Sequence, residues 1–183
     1  MDRQGVIPVE RIKKVLMIIA PKNFRDEEYL EPRDAFNRNN LEVKVASTTK
    51  EIATGSISAR IMPDITVKEA NPSDYDAVVF VGGAGCAIYI GDKEANRIIT
   101  EANKADKLIC AICKAPTILA EAGVLKGRKA TVWNSPENLE ILKRNGAVYT
   151  GNMVEEDGNI ITANGPTAAL LFAKHIVERL EKM

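Results

Sequence analysis

Cys113 stands in the segment Ala-Ile-Cys-Lys-Ala, residues 111–115, after the apolar run 108–112 and just before Pro116. Proline suits the first turn of a helix, so the segment reads as a strand turning directly into a helix. Such a turn strains the residue at its apex, and the residues two positions either side must be small for the backbone to fold over. Ala111 and Ala115 are small, which gives the small-x-nucleophile-x-small form of a nucleophile elbow. A helix start behind the sulfur favours the thiolate and lowers its pKa. The ordinary alternative is a structural cysteine buried at a strand end.

Two other strand ends need the same inspection. Residues 81–86 read Val-Gly-Gly-Ala-Gly-Cys. A glycine turn there can present backbone N–H groups to a developing oxyanion, or it is simply a tight turn. It is not G-x-G-x-x-G, so a dinucleotide reading is weak. Cys86 is a second thiol near the same crevice or a small filler residue. After the first apolar run come Asp26, Glu27, Glu28 and Glu31. Acids suit a first helical turn, and for Asp26, Glu27 and Glu31 a solvated position suffices. One acid can instead turn inward toward Cys113, and periodicity does not say which. Cys110 and Cys113 form a C-x-x-C, but Cys110 lies inside the strand. Three strand residues separate the two Cα atoms by about 10 Å, beyond the roughly 7 Å that a disulfide allows.

The elements that must position these groups follow from the hydrophobic pattern. Residues 15–19 (VLMII), 77–81 (AVVFV) and 108–112 (LICAI) are continuous apolar runs, as in parallel strands covered on both faces. Helical patterns alternate with them. One spans residues 25–37. Another begins at an Asp92 cap, with Ala95, Ile98, Ile99 and Ala102 on one face. A third starts at Ser135 with Pro136 behind it and stops at Gly146, and the last covers residues 167–181. Residues 54–61 suggest a small hairpin turning near Gly55, and Asp157-Gly158 marks another. The expectation is a single-domain, flavodoxin-like α/β sandwich over residues 13–183, mostly parallel, with helices on both sheet faces. Residues 1–12 read as a polar N-terminal extension.

Composition narrows the partners. Lys plus Arg equals Asp plus Glu at 25 each, and aromatic residues make up 5%, which argues against a nucleic-acid binder. No run approaches the roughly 20 apolar residues of a membrane span, and residues 1–15 lack the features of a secretory signal. Three cysteines are too few for a disulfide scaffold, so a cytoplasmic location is expected. One histidine, His175, excludes a histidine-rich zinc site within the chain, and neither metal nor cofactor is expected.

Four segments together resemble the ThiJ/PfpI superfamily, whose members include glyoxalases, deglycases and PfpI-type intracellular proteases. They are Glu28-Tyr-Leu-Glu-Pro32, Asp76 to Gly83, Ala111-Ile-Cys-Lys-Ala-Pro116, and Asp157 to Pro166. The resemblance implies a class I glutamine amidotransferase-like sandwich that forms dimers or higher homo-oligomers. It implies that Cys113 is the nucleophile, that Glu28 is a buried, protonated acid hydrogen-bonded to the sulfur and lowering its pKa, and that the amides of Gly83, Cys113 and Lys114 form the oxyanion hole. PfpI-type proteases place histidine directly after the cysteine, where this chain has Lys114. The family's other nearby histidine position falls on Trp133. Without a Cys–His pair, amine departure lacks its usual general acid, so a peptide or amide substrate is less expected than a small carbonyl compound. Lys114 can hold the thiolate electrostatically. His175 is expected on a helix flank, far from the elbow. A non-enzymatic sensor or chaperone working through oxidation of Cys113 is the remaining alternative.

Overall fold

A computed structural model describes residues 9–183. Residues 1–8 of the expected polar extension lie outside the described residues, and residues 9–13 run without regular structure. Arg11 in this stretch reaches Asp76 at 2.7 Å, tying it to the start of a central strand.

Strands β1 (Lys14–Ile18) and β2 (Lys22–Phe24) lead into helix α1 (Asp26–Arg38). Strands β3 (Glu42–Ser47), β4 (Ala53–Gly55), β5 (Arg60–Ile61), β6 (Ile65–Thr66) and β7 (Ala77–Phe80) follow. After a 3₁₀ turn at Ala84–Tyr89 come α2 (Lys93–Lys104), β8 (Leu108–Ile112), α3 (Pro116–Glu121) and β9 (Lys129–Ala130). The chain continues through α4 (Pro136–Arg144), β10 (Val148–Tyr149), β11 (Val154–Asp157), β12 (Ile160–Ala163) and α5 (Ala169–Glu181).

Seven strands form the main sheet in the order β11-β12-β8-β7-β1-β3-β6. Within it β11 runs antiparallel to its neighbour, through the hairpin at Asp157-Gly158, and the other pairs are parallel. The three continuous apolar runs occupy the middle of this sheet, where both faces are covered. Alternate residues split between two cores. Leu16, Ile18, Val78, Phe80 and Ile109 pack with α2, α3 and α4. Val15, Met17, Val79, Leu108 and Ile112 pack with α1 and α5. Each such fully buried side chain contributes about 1.5–3 kcal/mol. The expected sandwich with helices on both faces is therefore the fold.

The caps read from sequence are in place. Asp92 accepts from the Ala95 N–H at 2.9 Å, and Ser135 Oγ accepts from the Asn138 N–H at 3.2 Å. Some boundaries differ. The hairpin of β4 and β5 turns over residues 56–59 rather than at Gly55 itself. The expectation passes over β3, whose first half is largely exposed and lacks a continuous apolar run. The register decides the site: Ile18 pairs with Phe80, Phe80 with Ala111 and Ile112 with Ala163. The carboxyl ends of β1, β7, β8 and β12 therefore end level with one another.

Candidate active site at the β8 elbow

Cys113 follows β8 and has φ 65, a left-handed conformation rare outside glycine. Three hydrogen bonds hold this turn. The Cys113 N–H donates to the Ala163 carbonyl at 2.9 Å, the Cys113 carbonyl accepts from the Trp133 N–H at 2.8 Å, and the Ala115 N–H returns to the Ile112 carbonyl at 3.0 Å. Ala111 and Ala115 are fully buried, as a tight turn requires. The strain at the apex is thus sustained by the β12 end, the Trp133 loop and the elbow itself.

Glu28 is the acid that turns inward. It is completely buried, and neither carboxyl oxygen makes a hydrogen bond of good geometry. The groups closest to interacting with it are the Cys113 thiol and the Gly82 amide, which only partly offset its burial. Burial pushes its pKa up to about 7. Gly82 explains how the acid fits. A β-carbon there would strike Glu28 Oε2, the Ile112 carbonyl oxygen and Cys113 Cβ, so only glycine lets the three segments meet. Pro32 lies inside α1 four residues after Glu28. It has no N–H to offer the Glu28 carbonyl, so the helix lacks a bond at the turn that carries the acid.

Two of the three expected oxyanion amides gather at the sulfur, while the third, the Cys113 N–H, is already donated to the Ala163 carbonyl. The backbone N–H groups of Gly83 and Lys114 face Cys113 and favour its ionised form. Gly83 has φ 102, and a β-carbon on it would come within 2.5 Å of the Arg25 nitrogen and 2.6 Å of the Asn23 carbonyl oxygen. The Arg25 N–H in turn donates to the Gly82 carbonyl at 2.9 Å. The thiol itself departs from expectation. Burial first, and then an ionised Glu28, push Cys113 up to about 12, against which the two amides pull only partly. The helix start and the acid do not give a freely ionised thiol, because the sulfur lies mostly beneath the surface.

Asp26 requires a correction. A solvated first-turn acid is expected, yet Asp26 is buried and accepts from the N–H groups of Ile57, Ser58 and Ala59 at 3.1, 2.8 and 2.8 Å. It fixes the 56–59 turn, whose Ser56 lines the cleft. The Lys114 side chain is also less exposed than a surface lysine, and its Nζ lies 3.7 Å from Glu137 on α4. Cys86 is fully buried in the core beside α2 and α3. Burial pushes its thiol far up, as for a filler residue. Cys110 is equally buried, and all three cysteines are free. His175 lies on α5 with Nδ1 3.6 Å from Glu156 Oε1, outside the cleft.

The cleft over Cys113 has a volume of about 460 Å³ and brings together Cys113, Glu28, Gly83 and Lys114. Arg25, Trp133, Ser135, Asn138 and Pro166 also line it. No period or spacing along the chain reveals Arg25 or Asn138. Arg25 is held by Glu27 at 2.7 Å, and that ion pair raises its pKa. A larger groove of about 690 Å³ between α1 and α5 contains no cysteine. No cluster of His, Cys, Asp and Glu suited to a metal ion occurs among the described residues.

A mostly parallel α/β sandwich with a cysteine on a left-handed elbow and a buried carboxyl against it defines a class of fold and site. Residues 13–179 match the DJ-1/PfpI family, and the chain belongs to it. An uncharacterized protein of Methanocaldococcus jannaschii is 45% identical over 170 residues, 92% of this chain and 83% of the relative. A glutathione-independent glyoxalase of Caenorhabditis elegans is 28% identical over 169 residues, 92% of this chain and 89% of the relative. The crystal structure of a ThiJ/PfpI domain protein from Brachyspira murdochii superposes with TM-score 0.90 at 29% identity, covering 95% of this chain and 99% of that one.

Proposed function

We propose that this protein is a cysteine-dependent enzyme acting on small α-oxoaldehydes, in the manner of a glyoxalase or deglycase. The observation that carries the reading is the buried Glu28 carboxyl facing Cys113, with no histidine in the cleft. The Cys113 sulfur adds to the aldehyde carbon, and the resulting oxyanion meets the Gly83 and Lys114 amides. Glu28, near neutrality in its titration, moves a proton between the two adjacent carbons of the adduct. Hydrolysis of the thioester so formed releases an α-hydroxy acid and restores the thiol. One water is added overall, and no oxidant or cofactor enters. The relative named a glyoxalase supports the choice of substrate class. Peptide hydrolysis is disfavoured because Lys114 stands where a proton-donating histidine is needed.

The test is methylglyoxal consumption by the wild type and by Cys113→Ser. Turnover that disappears with the sulfur is the expected result. Absence of turnover together with stepwise oxidation of Cys113 in intact-mass spectra would overturn the enzyme reading in favour of a redox sensor. Efficient cleavage of a peptide would favour the peptidase.

A further inference from the structure

Trp133 is the only tryptophan in the chain and is 51% exposed, although it lies in the wall of the cleft over Cys113. An indole left half in water keeps half of its surface free to be covered by a ligand, although a flexible one would do little for binding. The backbone that carries this one is anchored. The backbone N–H of Trp133 is bonded to the Cys113 carbonyl at 2.8 Å, and its backbone carbonyl accepts from the Ser135 N–H at 2.9 Å. The same carbonyl accepts from Asn138 Nδ2 at 3.1 Å. Asn138 is buried, and its backbone N–H is fixed by the Ser135 cap at 3.2 Å. The ring rests on Gly165, where a β-carbon would come within 2.8 Å of Cε3 and 3.0 Å of Cζ3. None of the aromatic ring pairs among the described residues includes Trp133.

The rest of the cleft says what kind of group would lie against the ring. Its two cations are already engaged, Arg25 by Glu27 at 2.7 Å and Lys114 by Glu137 at 3.7 Å. Neither is an unpaired charge waiting for a phosphate or carboxylate. The volume of about 460 Å³ is far more than a three-carbon oxoaldehyde fills. An aromatic wall on a fixed backbone, ion-paired cations and spare volume beside the sulfur all suit a neutral, planar apolar substituent.

Building on the oxoaldehyde reading, we infer that Trp133 determines specificity by stacking against an aromatic or similarly planar apolar substituent on the carbonyl substrate. An aryl oxoaldehyde such as phenylglyoxal is therefore preferred over methylglyoxal, and the same attack by Cys113 and addition of water converts it to mandelate.

The lone tryptophan is its own reporter. In Cys113→Ser, titration with mandelate gives a saturable change in tryptophan emission at concentrations where lactate gives none. Equal responses, or none, overturn the inference. In the enzyme, Trp133→Ala lowers the ratio of kcat/KM for phenylglyoxal to that for methylglyoxal about fivefold, the scale of one aromatic contact, and Trp133→Phe recovers most of it. A ratio that does not move also overturns it. If Trp133→Ala fails to fold, the emission titration decides alone. Failure of the wild type to convert either aldehyde sinks the reaction assigned to Cys113. Turnover with no dependence of that ratio on Trp133 sinks only the role of the indole.

Discussion

Asp26 and Glu28 stand two residues apart on the first turn of α1, and their surroundings drive them toward opposite protonation states. Both are buried, which disfavours either charge. Asp26 receives three backbone N–H groups from the 57–59 turn, and these outweigh its burial and hold its pKa below the usual carboxylate range. Glu28 has no well-formed hydrogen bond, and burial raises it to about 7. One acid is fixed as an anion that shapes a loop, and the other is left able to carry a proton near neutral pH.

Glu28 and Cys113 titrate as a pair. The first proton leaves near Glu28's value of about 7, and a thiol facing an already ionised Glu28 holds its proton to about 12. While Glu28 keeps its proton, it can donate to the sulfur and favour the thiolate. Glu28→Gln preserves a neutral donor and Glu28→Ala removes it. The midpoint for iodoacetamide alkylation of Cys113, followed by intact mass against pH, is therefore expected to lie lower in the glutamine variant than in the alanine variant. Equal midpoints would remove hydrogen-bond donation by residue 28 from the site.

Gly82→Ala forces a methyl group into space held by Glu28, the Ile112 carbonyl and Cys113. Two of these neighbours are parts of the elbow and cannot swing away. Overpacking of this kind costs about 1–3 kcal/mol. Denaturant unfolding should show a loss of that size, and methylglyoxal consumption should fall with it. A variant as stable and active as the wild type would mean that the elbow is looser than its packing indicates.

Asp26→Asn removes the anion that three N–H groups hold. The depressed pKa of Asp26 means that its stabilisation is full above the unfolded value, near 3.9, and is lost as pH falls through the lower folded value. The variant should be about 1.5–3 kcal/mol less stable than wild type at pH 7, the range for hydrogen bonds to a charged group. The gap should narrow as the pH is lowered below about 4. Urea midpoints of both proteins across that range would measure it. A gap independent of pH would show that the charge contributes nothing.

Some of this protein is written in its sequence by itself. The runs 15–19, 77–81 and 108–112 are short and apolar without alternation, which suits strands covered on both faces, so the sandwich is legible in the chain alone. The elbow is legible too, because Ala111, Cys113, Ala115 and Pro116 are local constraints on one turn. What tertiary structure decides is which of several acids meets the sulfur. Asp26, Glu27, Glu28 and Glu31 are equivalent to any local rule. They are separated by the level ends of β1, β7 and β8, by Gly82, and by the 57–59 turn that claims Asp26. The placement of Arg25, Trp133 and Asn138 around the cleft is decided in the same way. A hydrophobic period records which face of an element is buried. It does not record which distant backbone groups will fill the space beside a buried carboxyl, and that space sets the protonation of Glu28.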